Sequence, residues 1–126
     1  MRSFNPAGIA KPASKYAQGV LHGPGQRLVV SGQVGIRPDG TIEKGMEAQM
    51  RRCWNNLLAV LAEEGFTARH LVKITVFVTL PGQTALYRAI RDEVLEGHLC
   101  AATYLQVAGL ASPDFLVELE GEAVKD

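Results

Sequence analysis

Residues 115–124 read Phe-Leu-Val-Glu-Leu-Glu-Gly-Glu-Ala-Val, and this alternation leaves little freedom in what the segment can become. Successive strand side chains point to opposite faces. Glu118, Glu120 and Glu122 therefore project together at intervals of about 6.5–7 Å, while Val117, Leu119, Gly121 and Ala123 project the other way. A chain carrying such a segment must build a sheet with one covered face. Two readings of the acidic face stand side by side. Carboxylates on a rigid strand are well placed for acid/base work, since apolar or like-charged neighbours raise their pKa toward neutrality. One face of an antiparallel strand is also often simply solvated.

The rest of the chain supplies partners for that strand. Residues 1–13 contain Pro6, Gly8 and Pro12 and read as an irregular lead-in. Tyr16 to His22, then Gly23-Pro24-Gly25, then the run Leu28 to Val34 predict a hairpin, and Arg37-Pro38-Asp39-Gly40 predicts a tight turn. Met46, Met50, Cys53, Trp54, Leu57, Leu58 and Leu61 recur every three or four residues, which predicts a helix capped by Gly65 with this stripe in the core. Leu71 to Thr79 is a β-branched strand whose Ile74, Val76 and Val78 face a helix. Pro81-Gly82 ends it. A second helix runs from about Gln83 to Leu95 on Ala85, Leu86, Ala89, Ile90 and Val94, with Gly97 as its stop. Strands at Ala102–Val107 and Phe115–Val124 complete the order β, β, α, β, α, β, β. This predicts an α+β layer with both helices on one face of one sheet. If the other face is apolar at positions such as Val29 and Leu119, a second subunit is the simplest cover.

Composition removes several function classes. A chain of 126 residues fits one domain, and with 13 basic and 13 acidic residues its formal net charge is zero. There is no arginine-rich run, so nucleic acid is not an expected partner. Neutrality also gives little repulsion between copies, which is compatible with a homo-oligomer. The start Met1 to Pro6 lacks a signal-peptide apolar core, and no apolar run approaches a membrane span, so a cytoplasmic protein without a membrane partner is expected.

Cys53 and Cys100 lack zinc-ligand and CxxC spacing and read as free core thiols. His22, His70 and His98 lack HExxH or HxH spacing, so no metal is expected. A catalytic Cys100–His98 pair, sharing a strand face, is the lesser reading of that segment. The glycines in His22-Gly23-Pro24-Gly25-Gln26 form a turn and not a phosphate loop, since neither GxxxxGK[ST] nor a helix follows.

Four stretches, taken in order, carry a resemblance. Tyr16-Ala17-Gln18-Gly19-Val20, Val30-Ser31-Gly32-Gln33-Val34, Val72-Lys73-Ile74-Thr75-Val76-Phe77-Val78 and Val117-Glu118-Leu119-Glu120-Gly121-Glu122-Ala123-Val124 resemble the Rid family, also called the YjgF/YER057c/UK114 family. The match runs from about Ser14 to Val124. It implies a chorismate-mutase-like (bacillary type) sheet with two helices on one face. It also implies a single domain over residues 1–126, assembled as a homotrimer with clefts between subunits, and a small-molecule metabolite as partner with no cofactor.

Active members of that family hydrolyse enamines and imines such as 2-aminoacrylate to ammonia and a 2-oxo acid. An arginine clamps the substrate carboxylate, and a C-terminal glutamate places or activates the attacking water. By the resemblance the glutamate is Glu120, the pocket tyrosine Tyr16, and the glycine of the SGQ-like motif Gly32. Thr84 falls near a pocket asparagine. The arginine position falls on Ala102 in Cys100-Ala101-Ala102-Thr103-Tyr104, with Thr103 and Tyr104 completing the expected substrate-binding set.

A methyl group replaces neither the fork nor the charge of a guanidinium. The lost hydrogen bonds to a charged group are worth about 1.5–3 kcal/mol. Efficient general 2-iminobutanoate deaminase activity is therefore not expected. Hydrolysis of an enamine or imine held by Tyr16, Thr84 and Tyr104, with Glu120 as acid/base, is the leading reading. A non-catalytic metabolite-binding or regulatory protein is the alternative. Arg27, Lys73 and Arg88 are the residues able to bring a positive charge to Ala102 from elsewhere, and ribonuclease activity has no support in charge or motif.

Overall fold

The structure, a computed structural model, describes all 126 residues. In chain order its elements are β1 (Arg2–Phe4), β2 (Gly19–Leu21), β3 (Gln26–Val34), α1 (Met46–Glu63), a single 3-10 turn (Ala68–His70), β4 (Leu71–Val78), α2 (Thr84–Leu95), β5 (Ala101–Gln106) and β6 (Val117–Lys125). The main sheet has the order β3-β6-β4-β5, with β4 and β5 parallel and the other pairs antiparallel. Parallel neighbours need a crossover, and α2 is that crossover.

Both helices lie over one face of this sheet, as the α+β reading expected. The α1 stripe buries Met50, Cys53, Trp54, Leu57 and Leu61 against Ile74, Val76 and Val78 of β4 and Val117, Leu119 and Ala123 of β6. Apolar burial of this kind is the main stabilising term, at roughly 25 cal/mol per Å² removed from water. Gly65, at φ 74°, turns the chain out of α1 in a conformation that other residues rarely adopt. No helix is long and apolar enough to cross a membrane.

Four expectations need correction. Residues 1–13 are not wholly irregular, because Arg2–Phe4 forms a strand paired antiparallel with Gly19–Leu21. The hairpin between Tyr16–His22 and Leu28–Val34 is consequently absent. β2 begins at Gly19 and pairs with β1, while β3 pairs with β6 across the sheet. Leu119 does not help to form the open face, since strand alternation buries it under α1, whereas Val29 is 59% exposed on that face. On α2 the buried positions are Tyr87, Ile90, Arg91 and Leu95, and Ala85 and Ala89 are exposed. Leu86, Ile90 and Val94 of the predicted stripe do pack on the core, and the buried face is widened toward Tyr87, whose ring stacks on Trp54 with centroids 6.5 Å apart.

Candidate functional site

Three short sequence features converge at the β5 edge of the sheet. Ala17 donates its backbone N–H to Cys100 O (3.0 Å) and bridges to Ala101, which straps residues 14–17 against the start of β5. Thr84, Tyr87, Arg88 and Arg91 are spaced i, i+3, i+4 and i+7, so they share one face of α2. β5 contributes Ala102, Thr103 and Tyr104. Together with Ser14 and Tyr16, these residues enclose a cavity of about 180 Å³.

The structure thus brings Tyr16, Thr84, Ala102, Thr103 and Tyr104 to one cavity. Ala102 and Tyr104 are in register with Ile74 and Val76, whose side chains are on the helix-covered face. The Tyr87 and Tyr104 rings are 5.5 Å apart, so aromatic packing runs from the core to the cavity wall. Burial pushes the Tyr87 and Tyr104 hydroxyls up from their ordinary range, keeping both as neutral donors at physiological pH.

Positive charge reaches Ala102 from the helix. Arg88, exposed and without an ion pair, lines the cavity, as does Arg91, which is only 4% exposed. Arg91 donates from Nε to Asp92 Oδ1 (3.0 Å) and from Nη1 to Ser14 Oγ (3.3 Å), and its guanidinium carbon lies 5.8 Å from the Tyr87 ring centroid. Of the three residues considered from sequence for this role, only Arg88 arrives. Arg27 pairs with Glu122 (3.0 Å), and Lys73 Nζ donates to Thr103 Oγ1 (2.7 Å). Arg91 went unnoticed because a charged residue was not expected among buried positions. Its i+4 spacing from Tyr87 was the available signal.

Gly32 and Glu120 lie elsewhere in the subunit. Glu120 is exposed on the open face, opposite Thr75, which in turn pairs with Thr103. Two strand spacings, about 9.5 Å, separate the Glu120 and Thr103 backbones. Gly32 sits at the bulge of β3, on the far edge of the sheet, where the Glu118 carboxylate occupies the space a side chain would need. The acidic residues of β6 are therefore distinguished by their partners: Glu122 pairs with Arg27, Glu118 packs on Gly32, and Glu120 makes no ion pair.

This arrangement has relatives. Residues 8–125 match the family model described as "Endoribonuclease L-PSP". The crystal structure of YyfB from Yersinia pestis, a Rid-family protein of unknown function, superposes with a TM-score of 0.91 at 26% identity and covers 98% of both chains. This chain belongs to the Rid family. The 2-iminobutanoate/2-iminopropanoate deaminase of Escherichia coli (strain K12) is 30% identical to it over 114 residues, 87% of each chain. The RutC family protein YjgH of Escherichia coli (strain K12) is 46% identical over 57 residues, so the shared stretch spans 44% of that protein.

Other polar groups of this Rid-family chain have structural partners. His98 Nε2 donates to Leu71 O (2.7 Å) rather than to Cys100, and burial pushes the Cys100 thiol up to about 11. A protonated, buried thiol is a poor nucleophile, so the Cys100–His98 pairing is excluded. His70 Nδ1 accepts from the Thr67 N–H (2.9 Å), and His22 Nδ1 donates to Gly23 O (2.9 Å).

Proposed function

We propose that this protein is a Rid-family hydrolase of a small enamine or imine, acting in a cleft completed by a neighbouring subunit of a homotrimer. The observation that carries this reading is the cavity itself, in which Tyr16, Thr84 and Tyr104 supply hydrogen-bonding groups beside Ala102, with cationic charge from α2. In the reaction the enamine tautomerises to an imine and water adds to the C=N carbon. The resulting carbinolamine expels ammonia and leaves a carbonyl. Glu120 takes the proton from water and returns it to nitrogen.

A three-fold ring supports the separation of the site residues. Its interface joins two different surfaces of the same chain. The cavity lies at the β5 edge and Gly32 at the β3 edge, so such an interface is able to bring them together. Exposed Val29 and Leu105 on the open face give that assembly apolar surface to cover.

Ammonia release from freshly generated 2-imino acids and enamines tests the activity. Turnover that is lost in Glu120→Gln supports the role of Glu120, and unchanged turnover refutes it. A non-catalytic metabolite binder is the second reading, favoured by the absence of any Asp or Glu among the cavity-lining residues. A thermal shift with 2-oxobutanoate, without ammonia release from any imine, selects it.

A further inference from the structure

We propose that the chain carries a second ligand site, a basic cleft at one end of the main sheet that binds a phosphate group, free or esterified to a small metabolite. The cleft lies where β3 and β4 begin and β6 finishes, and it shares no lining residue with the cavity at β5.

Three separate stretches of chain meet there around a volume of about 400 Å³. His22 comes from the turn after β2, Arg69 and His70 from the 3-10 turn before β4, and Lys125 and Asp126 from the end of β6. Two of these groups are fixed before any ligand arrives. Lys125 Nζ donates to Glu64 O and Gly65 O (both 3.2 Å) and lies 4.6 Å from the Phe66 ring centroid. An ammonium has three N–H groups, so one is left for a ligand. His70 Nδ1 accepts from the Thr67 N–H (2.9 Å), and its ring meets Phe66 edge-on with centroids 5.5 Å apart. A neutral imidazole that accepts at Nδ1 carries its hydrogen on Nε2, so His70 offers a donor there. The same Phe66 thus steadies both donors, which lowers the ordering cost of binding. Arg69 is exposed, and its guanidinium has neither an ion pair nor a hydrogen bond within the chain.

Charge and size select the ligand. Asp126 is the one carboxylate side chain in the lining, and neither Arg69 nor Lys125 forms an ion pair with it. In a chain of zero formal net charge this is a local excess of cation. A phosphate monoester carries a charge of about −1.5 to −2 at pH 7 and three strong acceptor oxygens. It can therefore serve the Arg69 fork, the free Lys125 N–H and His70 Nε2 together, where a carboxylate has only two oxygens to share among them. The volume is that of a small-molecule pocket and leaves room for the esterified part. Every donor is a side chain, which is why no phosphate-loop motif marks the site in the sequence.

Titration calorimetry of the full chain at low ionic strength with glycerol 3-phosphate, inorganic phosphate, acetate and glycerol tests the site. Glycerol 3-phosphate should bind with a dissociation constant below about 1 mM, and glycerol should not bind up to about 10 mM. Arg69→Met, which removes an exposed side chain without partners, should weaken the phosphate about tenfold, the lower end for hydrogen bonds to a charged group. Lys125→Met should do the same, and Arg88→Met in the cavity at β5 should leave the affinity unchanged. If Lys125→Met, which also unties the end of α1, fails to fold, Arg69→Met decides. Inorganic phosphate binding as tightly as the ester assigns the site to the free ion, and weaker binding assigns it to the ester; both support it. No binding of either phosphate up to about 10 mM, acetate binding as tightly as phosphate, wild-type affinity in Arg69→Met, or a loss in Arg88→Met instead overturns the proposal.

Discussion

Replacing Gln49 with leucine removes a single side chain that fastens three backbone groups in two separate loops. Gln49 is 2% exposed in the first turn of α1. Its Nε2 donates to Glu43 O (3.0 Å) and Asp114 O (2.9 Å), and its Oε1 accepts from Leu116 N–H (2.8 Å). Gln49→Leu conserves volume but orphans all three backbone groups. Each costs about 1–3 kcal/mol if it stays buried. Asp114 is exposed and an open cleft borders Glu43 and Leu116, so the low end applies and the sum is about 2–4 kcal/mol. With an m-value of about 2 kcal/mol/M, the middle of the usual range, the urea midpoint should fall by about 1–2 M.

Gln49→Glu separates hydrogen bonding from packing. Its carboxylate would still accept from Leu116 N–H but would face two carbonyl oxygens, which raises its folded-state pKa above the unfolded value near 4.3. The penalty is therefore small below about pH 4 and grows as pH rises through the folded-state pKa. Gln49→Glu should be the less stable variant at pH 7 and should recover, relative to wild type, on acidification. A Gln49→Leu unfolding free energy within about 0.5 kcal/mol of wild type, or no pH-dependent difference for Gln49→Glu, refutes this account. Because the fastened loop leads directly into β6, loss of ammonia release should accompany the stability loss.

Further outcomes follow from other features. Burial raises Cys53 from the ordinary 9.0 to about 12 and Cys100 to about 11, so the folded state holds protons that the unfolded chain releases above pH 9. Stability should be unaffected by these thiols below pH 9 and fall above it, by about 2 kcal/mol per thiol by pH 10.5, as measured by urea unfolding. Iodoacetamide should label neither cysteine in the native protein at pH 8 and both after denaturation, and rapid native labelling contradicts the burial argument. Val29→Lys should convert the proposed trimer, about three times 13.6 kDa by light scattering, to a smaller species with its far-ultraviolet spectrum retained. An unchanged mass means that this face is not the interface.

The regular elements were legible where periodicity was strong. The alternation of β6 and β4 and the stripe of α1 correspond to faces that are buried in the structure. β1 was not legible, because three exposed residues carry no pattern; it is held by pairing with β2 and by Ser3 Oγ donating to Leu99 O (2.7 Å). Of the cavity's lining, Tyr16, Thr84, Ala102, Thr103 and Tyr104 were named from the resemblance, and Tyr87 was not. The buried arginine was not, since its burial depends on Ser14 and Asp92 meeting it in three dimensions. Nor did local pattern disclose that Glu120 and Ala102 are on opposite faces of the sheet, which follows only from the register across β4.

The strand order β3-β6-β4-β5 has a consequence for how the chain is made. The strand that joins β3 to β4 is synthesised after both of them, so a nascent chain stopped at residue 116 has those two strands with no neighbour between them. Within the main sheet only the local β4–α2–β5 unit is able to close early, and it holds the α2 and β5 walls of the cavity. The sheet is then completed by pairings of long sequence separation, which are slow to form and leave strand edges open meanwhile. Translation that ends nine residues before Lys125 is reached removes the centre of the sheet rather than trimming its edge.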